Sequence, residues 1–384
     1  LSPYLPIKSV VANRYLVGKV LDFNGDGVTY AGWDLTERVA VKVREFLPDA
    51  ICSRENGETQ VRVMQGCERA YTDCYQSFLE LWRKLMRLMG LSTLISVTDV
   101  VEDNGTAYAI YEYTDAVPLR KYLLSTSTGY IPWERARQMF MPALSALGTL
   151  HSAGIIHRGL SPQTILVTPD GKLKISGFSI WQARTARGDL NPELFPGYAA
   201  IEQYGFEGQQ GAWTDIYAFA AVLYRALIGT DPIIATTRVT NDRLMIPSKF
   251  AEQLPAYVIN ALINALQILP EDRTRSVEQF RAEMSASPTA AYAGEIQAMS
   301  EGGDRSAEPM HGEGASAAPK MEKSAAQPFL VAGGITLGVG IIVFAILMAT
   351  VFRGSFSKKN PGNDQSTLNP SVTESTSTET IVVP

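Results

Sequence analysis

The most chemically suggestive stretch of the chain surrounds a short predicted hairpin. Apolar residues alternate on both sides of a Pro-Asp-Gly turn at 169–171, which predicts a β-hairpin over 165–175. The sequence His157-Arg158 precedes this hairpin, and Gly177-Phe178-Ser179 follows it. The one carboxylate in the stretch, Asp170, is explained by the chemistry of the turn. The flanks therefore place a histidine and an arginine before the hairpin and a phenylalanine and a serine after it, and they contain no acid.

These flanks resemble the catalytic hairpin of protein kinases, whose signatures are H-R-D-L-x-x-x-N and D-F-G. Here the two stretches are His157-Arg158-Gly159-Leu160-Ser161-Pro162-Gln163-Thr164 and Gly177-Phe178-Ser179. The resemblance covers roughly residues 13–284, and it is closest to bacterial serine/threonine kinases with a membrane anchor. It implies an α+β, two-lobed protein-kinase-like fold with a small β-rich N-lobe and a larger helical C-lobe.

Further motifs match the family in the same order. Val39-Ala40-Val41-Lys42 is similar to the V-A-I-K strand, whose lysine holds the α- and β-phosphates of ATP. Residues 197–202 stand where the family has its A-P-E segment. The resemblance implies a buried ion pair between Glu202 and Arg273, and it implies that Asp215 braces the His157-Arg158 turn. His157 and Phe178 are expected to belong to a stack of side chains that joins the lobes.

The departures from the family pattern concern phosphotransfer. The family needs a carboxylate near the attacking hydroxyl and two further residues that hold metal ions. The carboxylate position is Gly159, and the metal-binding positions are Thr164 and Gly177. Glycine brings neither a charge nor a ligand atom, and threonine is a weak neutral ligand. We therefore expect no intact catalytic residue, no metal site and no bound cofactor.

The nucleotide side of the expected cleft is altered as well. The family's G-x-G-x-x-G loop maps onto residues 22–27, where only Gly27 keeps its glycine, and Asp22 and Asp26 add negative charge beside the phosphate position. The glutamate expected to pair with Lys42 falls at Leu81, one residue after Glu80, which would point away because one residue is ~100° around a helix. Candidate nucleotide contacts are Lys42, Gly27, Val28, Ala40 and Glu112. Lys42 has the alternative of being an ordinary strand lysine, and Tyr111 is either the residue that narrows the back of the pocket or core packing.

Hydrophobic periodicity predicts the elements that position these residues. Alternating segments predict strands at 15–17, 28–30, 39–43, 94–101 and 107–113, and helical spacing predicts a helix over 68–89 that Gly90 ends. Residues 48–65 read as a looser polar stretch. Helices are predicted at 133–153, 213–229, 255–269 and 277–284, and the second of these is too apolar for a surface helix. These elements divide into a lead-in at 1–11, an N-lobe at 12–114 and a C-lobe at 115–284.

Composition restricts the remaining functions. The net charge of −5 among 384 residues does not suggest a nucleic-acid partner. Three cysteines, Cys52, Cys67 and Cys74, form neither a disulfide framework nor the spacing of a zinc site, so we expect reduced thiols. Residues 285–328 are rich in small and polar residues, which is typical of a flexible linker. Residues 353–384 have a Ser/Thr/Pro/Asn composition that predicts a disordered tail.

Residues 329–352 form an uncharged, almost wholly apolar segment. At ~1.5 Å per residue such a segment is long enough to cross a bilayer as a single helix. Gly334 and Gly338 form a G-x-x-x-G pattern, which favours a homodimer or reflects the ordinary glycine content of such helices. Charge counts around the segment specify its orientation poorly. We place the kinase-like domain in the cytoplasm and the tail outside, since a body with reduced thiols belongs there.

The sequence predicts a single-pass membrane protein whose kinase-like domain binds or regulates an unidentified protein partner without transferring phosphate. Two alternatives remain open. One is a weak or atypical serine/threonine kinase that uses ATP without the usual magnesium sites. The other is a sensor that binds ATP without turnover.

Overall fold

The structure, a computed structural model, describes residues 3–205 and 209–285. The two-lobed, protein-kinase-like fold implied by the resemblance is present. The N-terminal lobe consists of β1 (Val10–Val11), β2 (Tyr15–Asn24), β3 (Gly27–Asp34), β4 (Val39–Phe46), β5 (Cys52–Arg54), β6 (Val61–Val63), α1 (Glu68–Met86), β7 (Val97–Asp103) and β8 (Thr106–Glu112).

Six strands form one antiparallel sheet in the order β1-β2-β3-β4-β8-β7. In this sheet Lys42 of β4 is paired with Ala31 of β3 and with Tyr111 of β8. Successive side chains of a strand point to opposite faces, so Ala40, Lys42 and Arg44 share one face. Lys42 and Arg44 from that face line the cleft between the lobes.

The predicted lead-in and the polar stretch are more ordered than the sequence suggested. Leu5 is buried, and residues 52–54 and 61–63 pair as a separate hairpin, β5-β6. A buried ion pair between Glu45 and Arg54 holds this region against the sheet. Arg54 also donates to the Pro3 carbonyl at 3.1 Å, which ties down the beginning of the chain. Buried charges are stable only when they are paired, and such pairing depends on the fold and leaves no periodic pattern.

Helix α1 is amphipathic, and it ends three residues before the predicted end. The buried side chains Tyr71, Cys74, Phe78, Trp82 and Leu85 recur at helical spacing along one face. At the end of the helix the amides of residues 87 and 88 donate to carbonyls three residues earlier. This tighter final turn completes the helix before the left-handed Gly90.

The C-terminal lobe is mainly helical and also contains a small three-stranded sheet. Its elements are β9 (Val117–Pro118), α2 (Leu119–Ser125), α3 (Trp133–Ser152), β10 (Ile165–Val167), β11 (Leu173–Ile175), α4 (Ala212–Ile228), α5 (Ala235–Thr240), α6 (Ser248–Ala251), α7 (Ala256–Ala265) and α8 (Val277–Ser285). Short 3₁₀ turns lie at Trp181–Ala183, Ile201–Tyr204 and Pro270–Asp272.

Helix α4 is the centre of the C-terminal lobe. Every residue from Thr214 to Ile228 is buried, because α3, α7 and α8 pack around it. The predicted hairpin is present as β10-β11, with Ile165 opposite Ile175 and Val167 opposite Leu173. Ile175 also exchanges backbone hydrogen bonds with the chain at Thr93 and Ile95, at 2.8 and 3.2 Å. The hairpin is therefore bonded to the chain that leads from α1 into β7.

Within residues 3–205 and 209–285, no helix has the length and apolar character needed to cross a membrane. The predicted membrane segment at 329–352, the linker at 285–328 apart from Ser285, and the tail at 353–384 lie outside the described residues.

Candidate functional site

The loop before β10 is held by the carboxylate of Asp215. This side chain lies in the first turn of α4, and it accepts hydrogen bonds from the backbone amides of His157 and Arg158 at 2.7 and 2.6 Å. His151 contacts the same carboxylate at 2.9 Å. Burial alone would raise the pKa of Asp215, but these hydrogen bonds outweigh burial and lower it. The brace expected between Asp215 and the His157-Arg158 turn is present.

A column of buried rings connects this loop with α1. The His157 and Phe178 rings lie 4.5 Å apart between centroids, and Trp82 of α1 contacts Phe178 edge-on at 6.5 Å. Trp82 also stacks on Tyr111 of β8 at 5.8 Å. His157 is 1% exposed, and this burial lowers its pKa to about 4. His157 and Phe178 thus have the structural position that the resemblance implied.

Glu202 and Arg273 form the expected buried ion pair. Arg273 Nη1 lies 2.9 Å from Glu202 Oε1, and neither side chain is exposed. Thr214 donates to the same carboxylate oxygen at 2.8 Å, and the guanidinium also donates to backbone carbonyls, including that of Ile268 at 2.7 Å. The pair joins the 3₁₀ turn at Ile201–Tyr204 to the segment before α8.

The space beside Gly159 is filled by a guanidinium. A Cβ at position 159 would lie 2.5 Å from Arg184 Cζ, so a side chain there requires Arg184 to move. Arg184 is fully buried, donates to the Gly177 carbonyl at 2.7 Å and pairs with Glu193 at 3.1 Å. Burial lowers the pKa of Arg184, and the charge of Glu193 opposes this. A cation lies where the family would have its catalytic carboxylate.

The two family metal positions are closed as well. The Thr164 hydroxyl donates to the Gly159 carbonyl at 2.7 Å and accepts from the Ser161 amide at 2.9 Å. Gly177 has φ +73°, and a Cβ there would lie 2.5 Å from Thr164 Cγ2. No cluster of three His, Cys, Asp or Glu side chains that could hold a metal ion exists in the described parts of the chain. The residues present do not fit the two magnesium ions of the family.

A cavity of about 400 Å³ occupies the cleft between the lobes. Its polar lining includes Asp22, Asn24, Thr29, Lys42, Arg44, Glu112, Thr114, Gln163, Thr164, Ser176 and Glu193. Of the candidate nucleotide contacts, Lys42 and Glu112 line this cavity, whereas Gly27, Val28 and Ala40 are not among its lining residues. Val28 is fully buried in the core of the N-terminal lobe, and Ala40 is exposed near the beginning of β4.

Lys42 reaches the cavity without the glutamate partner that the family provides. Burial lowers its pKa, opposed by the charge of Asp22, and its ammonium lies 5.9 Å from the centre of the Tyr113 ring. Glu80 is exposed and is not among the residues that line the cavity, as its helical position predicted; it pairs instead with Lys84 at 2.7 Å. The α1 side chain that lines the cavity is Trp82.

The deeper cation of the cleft, Arg44, was not predicted from the sequence. It follows Lys42 by two residues on the same strand face, and its side chain is 3% exposed. Arg44 forms an ion pair with Asp26 and also bonds to Asn24 and Thr29. The period-two alternation of β4 could have identified it. Arg184 had no such signal, because its place in the site depends on the path of the loop after Phe178.

The model of the protein kinase domain matches residues 72–280, which is more than half of the chain. A probable serine/threonine-protein kinase of Clostridium acetobutylicum is 24% identical over 73% of this chain and 40% of its own length. The probable serine/threonine-protein kinase PknB of Lactococcus lactis is 26% identical over 76% of this chain and 44% of its own length. The chain thus spans less than half the length of these relatives.

Solved structures show the same fold. The apo form of PpkA-294 matches with a TM-score of 0.62 and 24% identity, over 74% of this chain and all of that chain. The PknI kinase domain of M. tuberculosis matches with a TM-score of 0.53 and 18% identity, over 73% of this chain and 98% of that chain. At these identities the likeness concerns the fold alone. Together with the family match, it shows that the chain belongs to the protein kinase domain family.

Proposed function

We propose that this domain is a binding or regulatory module of the protein kinase family that does not transfer phosphate. The observation that carries the proposal is the buried Arg184 guanidinium beside Gly159, where the family has its carboxylate. Losing a general base typically costs 10²–10⁴ in rate. Losing the metal ions removes most of the charge stabilisation on which phosphoryl transfer depends.

An active serine/threonine kinase is the second candidate, and the names of the curated relatives support it better than the first. The cleft contains groups that such a reaction could use. Lys42 lines the cavity, and Asp22 and Glu193 are carboxylates in the same lining. An atypical mechanism would need one of these acids to replace the residue lost at position 159.

A nucleotide sensor is the third candidate, and a titration separates it from the other two. The full chain in mild detergent would be titrated with ATP, with and without magnesium or manganese, while its melting temperature and phosphate incorporation are recorded. The module without a nucleotide role predicts no shift of the melting temperature and no incorporation. A sensor predicts a shift without incorporation, and a kinase predicts metal-dependent incorporation.

A pair of lysine variants makes this experiment specific to the cleft. Lys42→Met removes the ammonium that lines the cavity, and Lys19→Met removes an exposed lysine of β2. Phosphate incorporation that Lys42→Met abolishes and Lys19→Met leaves intact would overturn the proposal and establish the kinase. Incorporation that is equal in the two variants would point to a contaminating enzyme.

We further propose that residues 329–352 anchor the domain in a membrane, with the kinase-like domain in the cytoplasm and the tail outside. The support is the length and uncharged apolar composition of this segment. An unidentified protein partner, and a homodimer through Gly334 and Gly338, belong to the same proposal. No nucleic-acid partner is proposed, given the net charge of −5.

A further inference from the structure

The tip of the hairpin between β2 and β3 carries a buried carboxylate. Asp26 is 0% exposed although it lies in a turn, where aspartate is usually solvated. One of its oxygens pairs with Arg44 of β4, and the other accepts a hydrogen bond from the Ile180 amide at 2.9 Å. Ile180 follows Phe178 by two residues in the other lobe. A single side chain therefore joins the sheet, the hairpin tip and the segment after Gly177.

Backbone packing holds the hairpin tip at the same place. A Cβ at Gly25 would lie 2.3 Å from the Asn191 carbonyl oxygen and 3.2 Å from the Ala183 side chain. The tip thus rests directly on the segment 183–191 without an intervening side chain. The Asp26 carbonyl accepts from the Leu47 amide at 3.1 Å, which fixes the other side of the turn. The hairpin tip thus packs against the other lobe through its backbone as well as through the Asp26 carboxylate.

The charges of Asp26 and Arg44 determine whether an anionic ligand can bind Arg44 in the cleft. Arg44 faces the cavity, but the acceptors around its guanidinium are internal ones, from Asp26, Asn24 and Thr29. An anionic ligand that approached Arg44 would meet the Asp26 carboxylate at the same guanidinium. Like charges in a partly desolvated site repel strongly, so the ligand and the carboxylate exclude each other.

We propose that Asp26 is an internal anion that latches the hairpin tip over Arg44, and that a phosphate-bearing ligand reaches Arg44 only when the hairpin tip lifts. The proposal goes beyond the function proposed above, because it concerns access to the cleft and holds whether or not phosphate is transferred. Asp26 has the advantage of being tethered beside Arg44, which gives it a high effective concentration over any free anion.

The test measures binding of tripolyphosphate to the full chain by calorimetry, without divalent metal. Asp26→Asn keeps the shape of the side chain and an acceptor for the Ile180 amide, but it removes the charge. We expect its dissociation constant for tripolyphosphate to fall at least tenfold below that of the unmodified chain. Asp22→Asn is the matched control, since Asp22 also lines the cavity and forms no hydrogen bond or ion pair with Arg44 or Ile180 among the described residues. Its gain, which comes only from weaker general repulsion in the cavity, should be at least threefold smaller than that of Asp26→Asn.

The double variant Asp26→Asn, Arg44→Gln should bind tripolyphosphate no more tightly than the unmodified chain, because the cation that binds the anion is gone. Equal gains in Asp26→Asn and Asp22→Asn would overturn the latch and leave a general charge effect. A gain that persists in the double variant would also overturn it, since the anion would then bind elsewhere.

Hydrogen exchange of the unmodified chain tests the latch without any variant. The Ile180 amide should be protected to a similar degree as the Ile175 amide, which donates to the Thr93 carbonyl at 2.8 Å. Protection of Ile180 that falls in Asp26→Asn, because the tip without its charge lifts more often, supports the latch if Ile175 is unchanged. Exchange of Ile180 at the rate of an open loop in the unmodified chain would overturn it.

Discussion

At the scale of single residues, the two glycines at the family's acidic positions show how neighbouring side chains have filled the site. Gly159 and Gly177 are not empty positions, because Arg184 lies against the first and Thr164 against the second. Protein interiors are closely packed, so the space left by a missing side chain is occupied by its neighbours. Restoring an acid at either glycine therefore requires neighbouring side chains to move as well as the acid to be present.

Gly177→Ala should reduce the free energy of unfolding more than Gly57→Ala does. Both glycines have positive φ, +73° and +85°, so both substitutions introduce backbone strain. The new methyl group would meet Thr164 Cγ2 at 2.5 Å in the first case and nothing within 4 Å in the second. We expect an extra cost of about 1–3 kcal/mol at Gly177, measured by urea unfolding. Thr164→Ser removes Cγ2 and should return part of that difference, and equal costs at the two glycines would contradict the contact.

The buried His157 ring should make stability fall in mildly acidic solution. Its pKa is lowered to about 4, mainly by burial; the charge of Asp215 opposes this lowering, and the charge of nearby Arg184 adds to it. The unfolded chain, with a histidine pKa of ~6.5, binds the proton more readily, so stability declines as pH falls from about 6.5 to 4. The full effect is about 3 kcal/mol.

His157→Asn should flatten the pH dependence of the unfolding free energy in that window. The lowered pKa of Asp215 also stabilises the folded protein, but this stabilisation is lost only below the unfolded aspartate pKa of ~3.9. It therefore does not contribute to the slope between about pH 6.5 and 4. Unfolding in urea at half-unit steps of pH would measure both curves. An unchanged slope in the variant would mean that His157 is protonated in the folded protein.

At the scale of elements, the ion pair between Glu202 and Arg273 connects segments that are far apart in the chain. Arg273→Met should cost about 3–5 kcal/mol of unfolding free energy, because it leaves the Glu202 carboxylate buried without its cation. Arg62→Met, at a pair whose side chains are 57% and 60% exposed, is the control and should cost at most ~1 kcal/mol. Similar losses in the two variants would show that Glu202 is solvated or protonated.

The elements differ in how well the sequence predicts them. The strands, α3, α4 and the β10-β11 hairpin follow from periodicity, because burial on one face or all round leaves a regular pattern. The hairpin β5-β6 and the packed lead-in have no such pattern, since they depend on the Glu45–Arg54 pair and on contacts with distant strands. In the site, the motif positions predicted His157, Phe178, Asp215 and the Glu202–Arg273 pair. Arg184 and Trp82 were not predicted, because they enter the site from neighbouring segments whose paths the motifs do not specify.

At the scale of the whole molecule, the retained contacts and the altered ones belong to different parts of the same body. The ring column, the Asp215 brace and the Glu202–Arg273 pair hold the kinase architecture together. The positions that would handle phosphate and metal are repacked or covered by residues of the chain itself. This division favours a role in which the domain binds a partner through its surface and access of ligands to its cleft is restricted.

A binding role becomes more specific when the domain is held at a membrane. The proposed anchor at residues 329–352 can be tested directly. Two arginines in the middle of the segment, Ile342→Arg and Val343→Arg, should prevent insertion, because each costs about 2.5–3.5 kcal/mol at the centre of a membrane helix. The control, Ser366→Arg, adds a charge in the tail and should leave insertion intact. Alkaline carbonate extraction of membranes from expressing cells measures the outcome. An unmodified chain that carbonate releases would remove the anchor from the proposal, and a double arginine variant that stays in the membrane would place the anchor elsewhere.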